Sequence, residues 1–481
     1  MAETPTRVPL RTRVRTDPGP AARWLGVGAL LFVVQAGAVA HFGATLFVDL
    51  VAALPAVAPP EFLQAAADAA GEIPTLLSRE VIPNGGHYNG QGYVGTFLGL
   101  QPMYAWLIRV AAIYAYAFAV VGWLFVGYRI HRRNYRIADW APIDDVIDRL
   151  RSHYWGLFGL VVVLSFVTMA VFAPALGPTT VDQNIGEPYG HQIEYWDAGA
   201  GTVEQVSVGV ANQETRSAGN PDLNVGPMTY DDYGRFHPFG TMPSGQDLFT
   251  FIVAGSRLSL IIGLLAVALS SAIAVSGALI SAYYKGRVDL GLIVVSDSIM
   301  AMPRLLLLIM LTVILGGTWL GSLYGGGLVL GLIFAGTGWP FLWRSFRGPA
   351  LQVAENEWID AAKMYGRRPW TIMRKHMLPY ILGYVLVYGS MTLGGAIIAI
   401  AGLSFLGLGV NAPTPEWGRA VNAGQEYVGT VSWHISFIPG ALITLVVTGF
   451  NALGDGIRDA IDPQSDSAAD EAGGGAQGGG A

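Results

Sequence analysis

The chain is expected to be all-α and polytopic, an integral membrane protein with about eight transmembrane helices. Composition predicts this first: 52% of 481 residues are hydrophobic and only 13% are charged, which places the chain outside the soluble globular class. Length predicts it next. A hydrocarbon core of about 30 Å takes about 20 apolar residues at about 1.5 Å each. Eight stretches reach or approach that length, at residues 24–48, 103–127, 155–176, 258–284, 292–316, 326–343, 380–401 and 434–455.

Residues 1–23 form a basic tail carrying Arg7, Arg11, Arg13, Arg15 and Arg23. The first apolar stretch is too long for a signal peptide, and the small triplet Ala56-Val57-Ala58 is followed by two prolines, so this span is expected to stay as an anchor. Together with the second span it makes an N-terminal extension over 24–153. Residues 129–151 hold six further arginines. Cytoplasmic loops carry the excess of Lys and Arg, so both basic segments, and with them both termini, are expected inside. Residues 154–236 give a third span and a long external loop. Ten acids between residues 182 and 247 face only Arg216 and Arg235, which suits the outside face. That region has weak periodicity and reads as a small subdomain or a long ordered loop. The tail at 464–481 is acidic and Gly-rich, with the composition of a disordered segment. Zero cysteines exclude disulfides, thiolate metal sites and cysteine nucleophiles.

One polar segment interrupts the apolar pattern: WIDAAKMYGRRPWTIMRKHMLP, residues 358–379. Trp358, Ala361, Ala362 and Tyr365 recur at i, i+3, i+4 and i+7, one helical stripe, while Glu355, Asp360 and Lys363 take the other side. Gly366 is expected to end that helix in a left-handed conformation. Pro369 suits the first turn of a second helix, and Pro379 is expected to close it as the next span begins. This helix, turn and helix either lies at the headgroups with Arg and Lys snorkelling or is gripped by a cytosolic partner.

Asp360-Ala361-Ala362, Gly366 and Leu378-Pro379 resemble the EAA loop of ABC importer permeases, with Asp in place of the usual Glu. Further blocks match in order. His237-Pro238-Phe239-Gly240-Thr241 with Gly245 and Asp247, then Gly255-Ser256-Arg257, are similar to the segment before the second core span of dipeptide and oligopeptide permeases. Ser404 to Val410, Pro413-Thr414-Pro415, Trp417-Gly418, and Asn451 with Gly454-Asp455-Gly456, Arg458-Asp459 and Asp462-Pro463 look like that family's closing blocks. The chain resembles the C-type subunit of that family, or of its nickel-importing branch, over residues 237–463 and loosely over 155–176. It departs at Met242, Pro243 and Gln246, where the family usually carries charges, and residues 1–150 carry none of the blocks that make up this resemblance.

The resemblance implies a six-span permease core over 237–463 together with the 155–176 span, and a cytoplasmic coupling loop at 344–379. Within the loop it assigns ATPase coupling to Glu357, Asp360, Ala361, Ala362, Gly366, Leu378 and Pro379. It implies a second permease subunit, two ATP-binding subunits holding ATP and magnesium, an extracellular solute-binding protein, surrounding membrane lipid, and no nucleic acid. The chain itself is then no enzyme and carries no cofactor. In keeping with that, it has no G-x-x-x-x-G-K-[ST] loop, and Gly402 to Gly407 misses the G-x-S-x-G spacing by one residue. The competing classes are a self-contained secondary transporter or channel, which inverted repeats would mark, and a non-transporting membrane scaffold.

Ionisable residues within spans are functional candidates because a charge at the bilayer centre is costly. Arg304 falls in the middle of the 292–316 stretch, and Asp297 lies seven residues earlier on the same helical face. Either this face lines the translocation path or the two residues form a structural pair. Pro303 should kink the span. Gly327, Gly331 and Ala335 form a small-residue stripe read as helix packing. Asp231-Asp232 and Asp455 with Asp459 lack the dense oxygen spacing of a calcium loop. The first pair is expected on solvated surface and the second balanced by Arg458, so no metal site is expected.

Overall fold

The computed structural model describes residues 9–52, 60–73, 75–137, 142–215 and 224–461. Arg7, the triplet at 56–58, Arg216, Asp462-Pro463 and the 464–481 tail lie outside the described residues. The chain is mostly helical. It opens with α1 (Leu10–Thr16), α2 (Gly19–Val34) and α3 (Ala36–Ala52). The first predicted span is not straight: α2 and α3 meet at a bend of 67° around Gln35. The cause is a docking contact. Leu76 N–H donates to the Val34 carbonyl at 3.1 Å, and Gly37 sits where a Cβ would come within 2.2 Å of the Ile73 oxygen.

Next come α4 (Glu61–Gly71), the hairpin of β1 (His87–Tyr88) and β2 (Tyr93–Val94), and α5 (Pro102–Ile130). Trp24 of α2 and Trp123 of α5 stack at 4.4 Å, and each indole N–H donates to the other's carbonyl at 2.9 Å. α6 (Pro142–Ser152), α7 (Tyr154–Val171) and α8 (Ala173–Leu176) follow. In its described residues the long loop is ordered rather than featureless. It holds an antiparallel hairpin of β3 (Gln192–Asp197) and β4 (Thr202–Ser207), α9 (Val208–Thr215), and the short pair β5 (Thr229–Tyr230) and β6 (Phe236–His237).

The remaining chain is α10 (Leu248–Tyr284), α11 (Gly286–Met300), α12 (Arg304–Gly316), α13 (Gly327–Ala354), α14 (Glu357–Met364), α15 (Pro369–Ile372), α16 (Leu378–Phe405), α17 (Trp417–Gly424) and α18 (His434–Ile461). Among the described residues five helices are long and apolar enough to cross a membrane, or up to seven with each bent pair taken as one span. The sixth predicted stretch, 326–343, falls on α13, whose lower half carries Arg344, Arg347 and Pro349.

Helices pack through small residues, as spans surrounded by lipid must. The stripe on α13 meets α10: a Cβ on Gly331 would reach 2.9 Å from the Leu265 side chain, and Gly327 faces Ile262. A Cβ on Gly156 of α7 would come within 2.9 Å of Gly456, and one on Gly159 within 2.3 Å of the Leu453 nitrogen, both on α18. We call the end bearing α6, α14 and α15 the lower end, and the end bearing the strands the upper end.

At the upper end the N-terminal extension is locked to the core. Arg109 of α5 is fully buried and donates to the carbonyls of Ile82 at 2.8 Å and Gly177 at 2.9 Å. Trp106 donates to Leu176 at 2.8 Å, and Ile113 packs with Ala173, Leu176 and Val253. Replacing Arg109 with Met leaves two buried carbonyls without donors, at about 1–3 kcal/mol each. Arg109→Met is therefore expected to lower the thermal midpoint of the detergent-purified chain, with Arg109→Lys recovering part of the loss. An unchanged midpoint in both would show that the extension is not fastened here.

Candidate functional site

The segment at 355–379 is built as a helix, a sharp turn and a helix. α14 ends in a paired C-terminal cap: Gly366 N–H donates to Lys363 O at 2.9 Å and Arg367 N–H to Ala362 O at 3.2 Å, with Gly366 at φ 69°. A Cβ at Gly366 would meet nothing within 4 Å, so only the backbone conformation demands glycine there. Pro369 opens α15 as expected.

Pro379 does not close the second helix. The chain runs as one helix from Pro369 to Phe405, 37 residues, widening into a π turn at Met373–Met377. Proline lacks the N–H that an unbroken helix would donate to the carbonyl four residues back. A wider turn of this kind absorbs the missing bond without breaking the helix.

The buried face also differs from the predicted stripe. Ile359 is fully buried and Ala362 nearly so, whereas Trp358 and Ala361 are exposed, and Met364 and Tyr365 are each 87% exposed. Ile359, Ala362, Ile372, Met373 and Met377 enter one cluster with Ala274, Ala278 and Ala282 of α10, Trp343 and Phe346 of α13, and Ile381 of α16. Leu378 packs on its edge, while Glu357, Asp360, Gly366 and Pro379 face outward. Lys363 bonds Asp360 at 2.9 Å and lies 5.6 Å from the ring centre of Tyr283, at the lower end of α10. Trp358 stacks on Tyr380 at 5.8 Å. The loop thus has an anchored apolar underside and an outer face rich in unpartnered aromatic and apolar surface.

Asp297 and Arg304 are not brought together. The expected kink at Pro303 is an 84° bend, which puts Asp297 on α11 and Arg304 at the start of α12, so they no longer share a helical face. Asp297 pairs instead with Arg344 of α13. The Arg304 guanidinium lies 5.4 Å from the ring centre of Phe341, a cation–π arrangement. A cavity beside the bend, about 330 Å³, is lined by Ile299, Met302, Leu311, Leu332 and Thr337 among others, and by neither charged residue. Asp289 of α11 accepts from Arg347 of α13 at 2.7 and 2.5 Å and also from Ser281. Sequence reasoning missed Asp289, Arg344 and Arg347. The available signal was two acids on one apolar segment facing two arginines three residues apart on the next.

Two acidic pairs also need correction. Asp231 is 8% exposed, not solvated surface. It accepts from Arg235 Nε at 2.6 Å and faces His237 Nε2 at 3.4 Å, while His237 Nδ1 lies 2.9 Å from Asp247 Oδ2. Asp247 also caps α10 by accepting from Thr250 N–H at 2.7 Å. Asp459 pairs with His153 Nε2 at 3.1 Å rather than with Arg458. A carboxylate facing each ring nitrogen favours the imidazolium form of His237, in which both nitrogens can donate. Burial pushes its pKa down, but the bonds to Asp231 and Asp247 outweigh that and leave it raised.

The chain matches the model of the binding-protein-dependent transport system inner membrane component over residues 273–466. A second model, the N-terminal TM domain of oligopeptide transport permease C, matches residues 141–190, which extends the loose likeness seen at 155–176. The dipeptide transport system permease protein DppC of Alkalihalophilus pseudofirmus is 31% identical over 328 residues, 68% of this chain and 91% of that protein. The oligopeptide transport system permease protein OppC of Bacillus subtilis is 30% identical over 320 residues, 66% and 89% of the two chains. The glutathione transport system permease protein GsiD of Pectobacterium atrosepticum is 35% identical over 242 residues, 50% and 75%.

Residues 224–247 lie between the two family models, and their charge cluster gives a pH signature. A raised histidine pKa contributes stability that is complete below the unfolded value of about 6.5 and is lost as pH rises through the folded value. The Asp231 pKa is lowered: burial alone would raise it, but the bonds from His237 and Arg235 prevail. Its contribution is present above about 3.9 and lost as pH falls through its folded value. The thermal midpoint of the purified chain is expected to fall as pH is raised above neutrality, and His237→Gln should flatten that alkaline limb. A wild-type limb identical to that of the variant would remove His237 from the account.

Proposed function

The chain belongs to the family of binding-protein-dependent transport system inner membrane components, as a permease subunit of an ABC importer and not an enzyme, and from that premise we propose how it is driven and what it passes. Such subunits work with another permease, an ATPase and a binding protein. Residues 357–379 receive the ATPase, the lower end is cytoplasmic with both termini, and the membrane is the cell membrane. Two ATP-binding subunits carry ATP and magnesium, and a solute-binding protein docks at the upper, extracellular end. The solutes are dipeptides, oligopeptides or small peptide-like molecules, in line with the names of the relatives.

The observation that carries the coupling reading is the two-faced loop. A helix merely resting at headgroups would bury its apolar residues in lipid and point its charges to water. Here the inner side is already occupied by the protein core, and Met364, Tyr365 and Trp370 are left on the outside at 87%, 87% and 67% exposure. Exposed aromatic and Met residues are what a protein partner's cleft takes up. Because Ile359 and Met377 are held among α10, α13 and α16, movement of the seated loop is transmitted to those helices. Asp297 and Arg304 are assigned to holding the bent pair against α13, since each finds its partner there.

Two variants separate seating from transmission. Tyr365→Asp removes an exposed contact without touching the core, and should reduce co-purification of the ATPase while the chain still inserts. Gly366→Val imposes a left-handed backbone on a branched residue, at about 1–3 kcal/mol, and misdirects α14. It is expected to abolish solute-stimulated ATP hydrolysis in the reconstituted complex. Normal association by Tyr365→Asp together with normal stimulation by Gly366→Val would contradict ATPase coupling through this loop.

A further inference from the structure

At the upper end, a groove of about 940 Å³ runs between the α2–α3 bend, the ends of α7 and α8, and α10. That volume falls within the range of about 300–1,000 Å³ typical of small-molecule sites. α7 has 18 residues and α2 has 16, so at about 1.5 Å per residue each climbs about 24–27 Å from the lower end. Their upper ends therefore lie near the far headgroup plane of a bilayer with a core of about 30 Å. The groove is at that level.

Its walls are divided by chemistry. Val171, Phe172, Leu258, Ile261 and Phe42 are apolar. Ile261 is 48% and Phe42 55% exposed, so the groove is open along this apolar side. Gln35, Arg79 and Arg257 supply donors. Gln35 is only 7% exposed, yet its side-chain nitrogen has no hydrogen-bond partner among the described residues. A buried amide left in this state costs about 1–3 kcal/mol, so the site calls for an acceptor. Arg257, nine residues after Leu248 in α10, is not among the residues forming ion pairs or side-chain hydrogen bonds in the described structure. Arg79 is held by the carbonyls of Pro174 at 3.2 Å and Thr179 at 2.5 Å. Glu80, the one acid on the wall, follows Arg79 directly in the chain. Two arginines against one carboxylate leave one net positive charge.

We propose that this groove binds a phospholipid with an anionic head, its phosphate placed between Arg257 and the Gln35 amide and its acyl chain laid against Leu258 and Ile261. The bend at Gln35 then has a purpose. It turns α3 aside so that the N-terminal extension and α10 form two walls of one lipid site. This assignment uses the permease reading only to name the leaflet as the outer one, and a failure of peptide uptake would leave it untouched.

The test uses the assembled complex in phosphatidylethanolamine vesicles containing phosphatidylglycerol with a photoreactive acyl chain. Label is located by mass spectrometry after illumination. The wild type is expected to carry label at Leu258 to Ile261. Loss of one charge-assisted contact is expected to lower it about tenfold in Arg257→Gln, and Arg257→Lys should retain most of it. Gln35→Leu, which leaves the arginine in place, should also lower labelling and serves if Arg257→Gln does not assemble. Equal labelling in wild type, Arg257→Gln and Gln35→Leu would overturn the proposal. So would equal labelling by photoreactive phosphatidylcholine, which removes selection for the anionic head, or loss of label on adding the transported peptide, which would make the groove a solute site.

Discussion

The structure depends on the burial of α14's underside in the lower core of the membrane helices. Ile359 has no exposed surface, and it lies with Trp343, Phe346, Ile372 and Met377 in one packed cluster. Burying an isoleucine is worth about 1.5–3 kcal/mol, and close-packed interiors transmit displacement instead of absorbing it. The loop is therefore continuous with α10, α13 and α16. The π turn at Met373–Met377 preserves this continuity by letting the chain pass Pro379 without a break.

The other constraints keep the bent elements in place around that column. Asp289 with Arg347 and Asp297 with Arg344 tie α11 to α13 at two levels. Each charge pair removes the cost of leaving one partner alone in an apolar setting. At the upper end Arg109 holds Ile82 and Gly177 by their carbonyls, and His237 ties Asp231 to the residue that caps α10. The bend at Gln35 is fixed by backbone contacts with Ile73 and Leu76, and the bend at residues 301–303 by side-chain pairs from α13.

Helix positions were largely legible because apolar runs and breakers are local signals. All eight predicted stretches fall on helices, and Gly366 and Pro369 act as their residue types dictate. What periodicity misjudged was the buried face of α14. Trp358 and Tyr365 look like core residues by hydrophobicity, but they are exposed, while Ile359 takes the interior. An apolar face awaiting a partner has the same sequence pattern as one facing the core. The Asp297 and Arg304 pairing failed for a different reason: helical spacing applies only along one helix, and Pro303 ends that helix. The strands of the upper loop were missed because β3 and β4 are six residues each and none of their residues is fully buried, too brief an alternation to stand out in a polar region.

The absence of native cysteine permits the most direct measurement of whether loop and core move as one body. Spin labels at Arg367→Cys and Leu386→Cys report on the loop relative to α16, and labels at Arg367→Cys and Leu124→Cys on the loop relative to α5. Double electron–electron resonance on the assembled complex, without nucleotide and then with ATP trapped, should leave the first distance unchanged while the second shifts. A shift between Arg367 and Leu386 with α16 stationary relative to α5 would mean that the loop swings on its own, and the packed column would not be the coupling element.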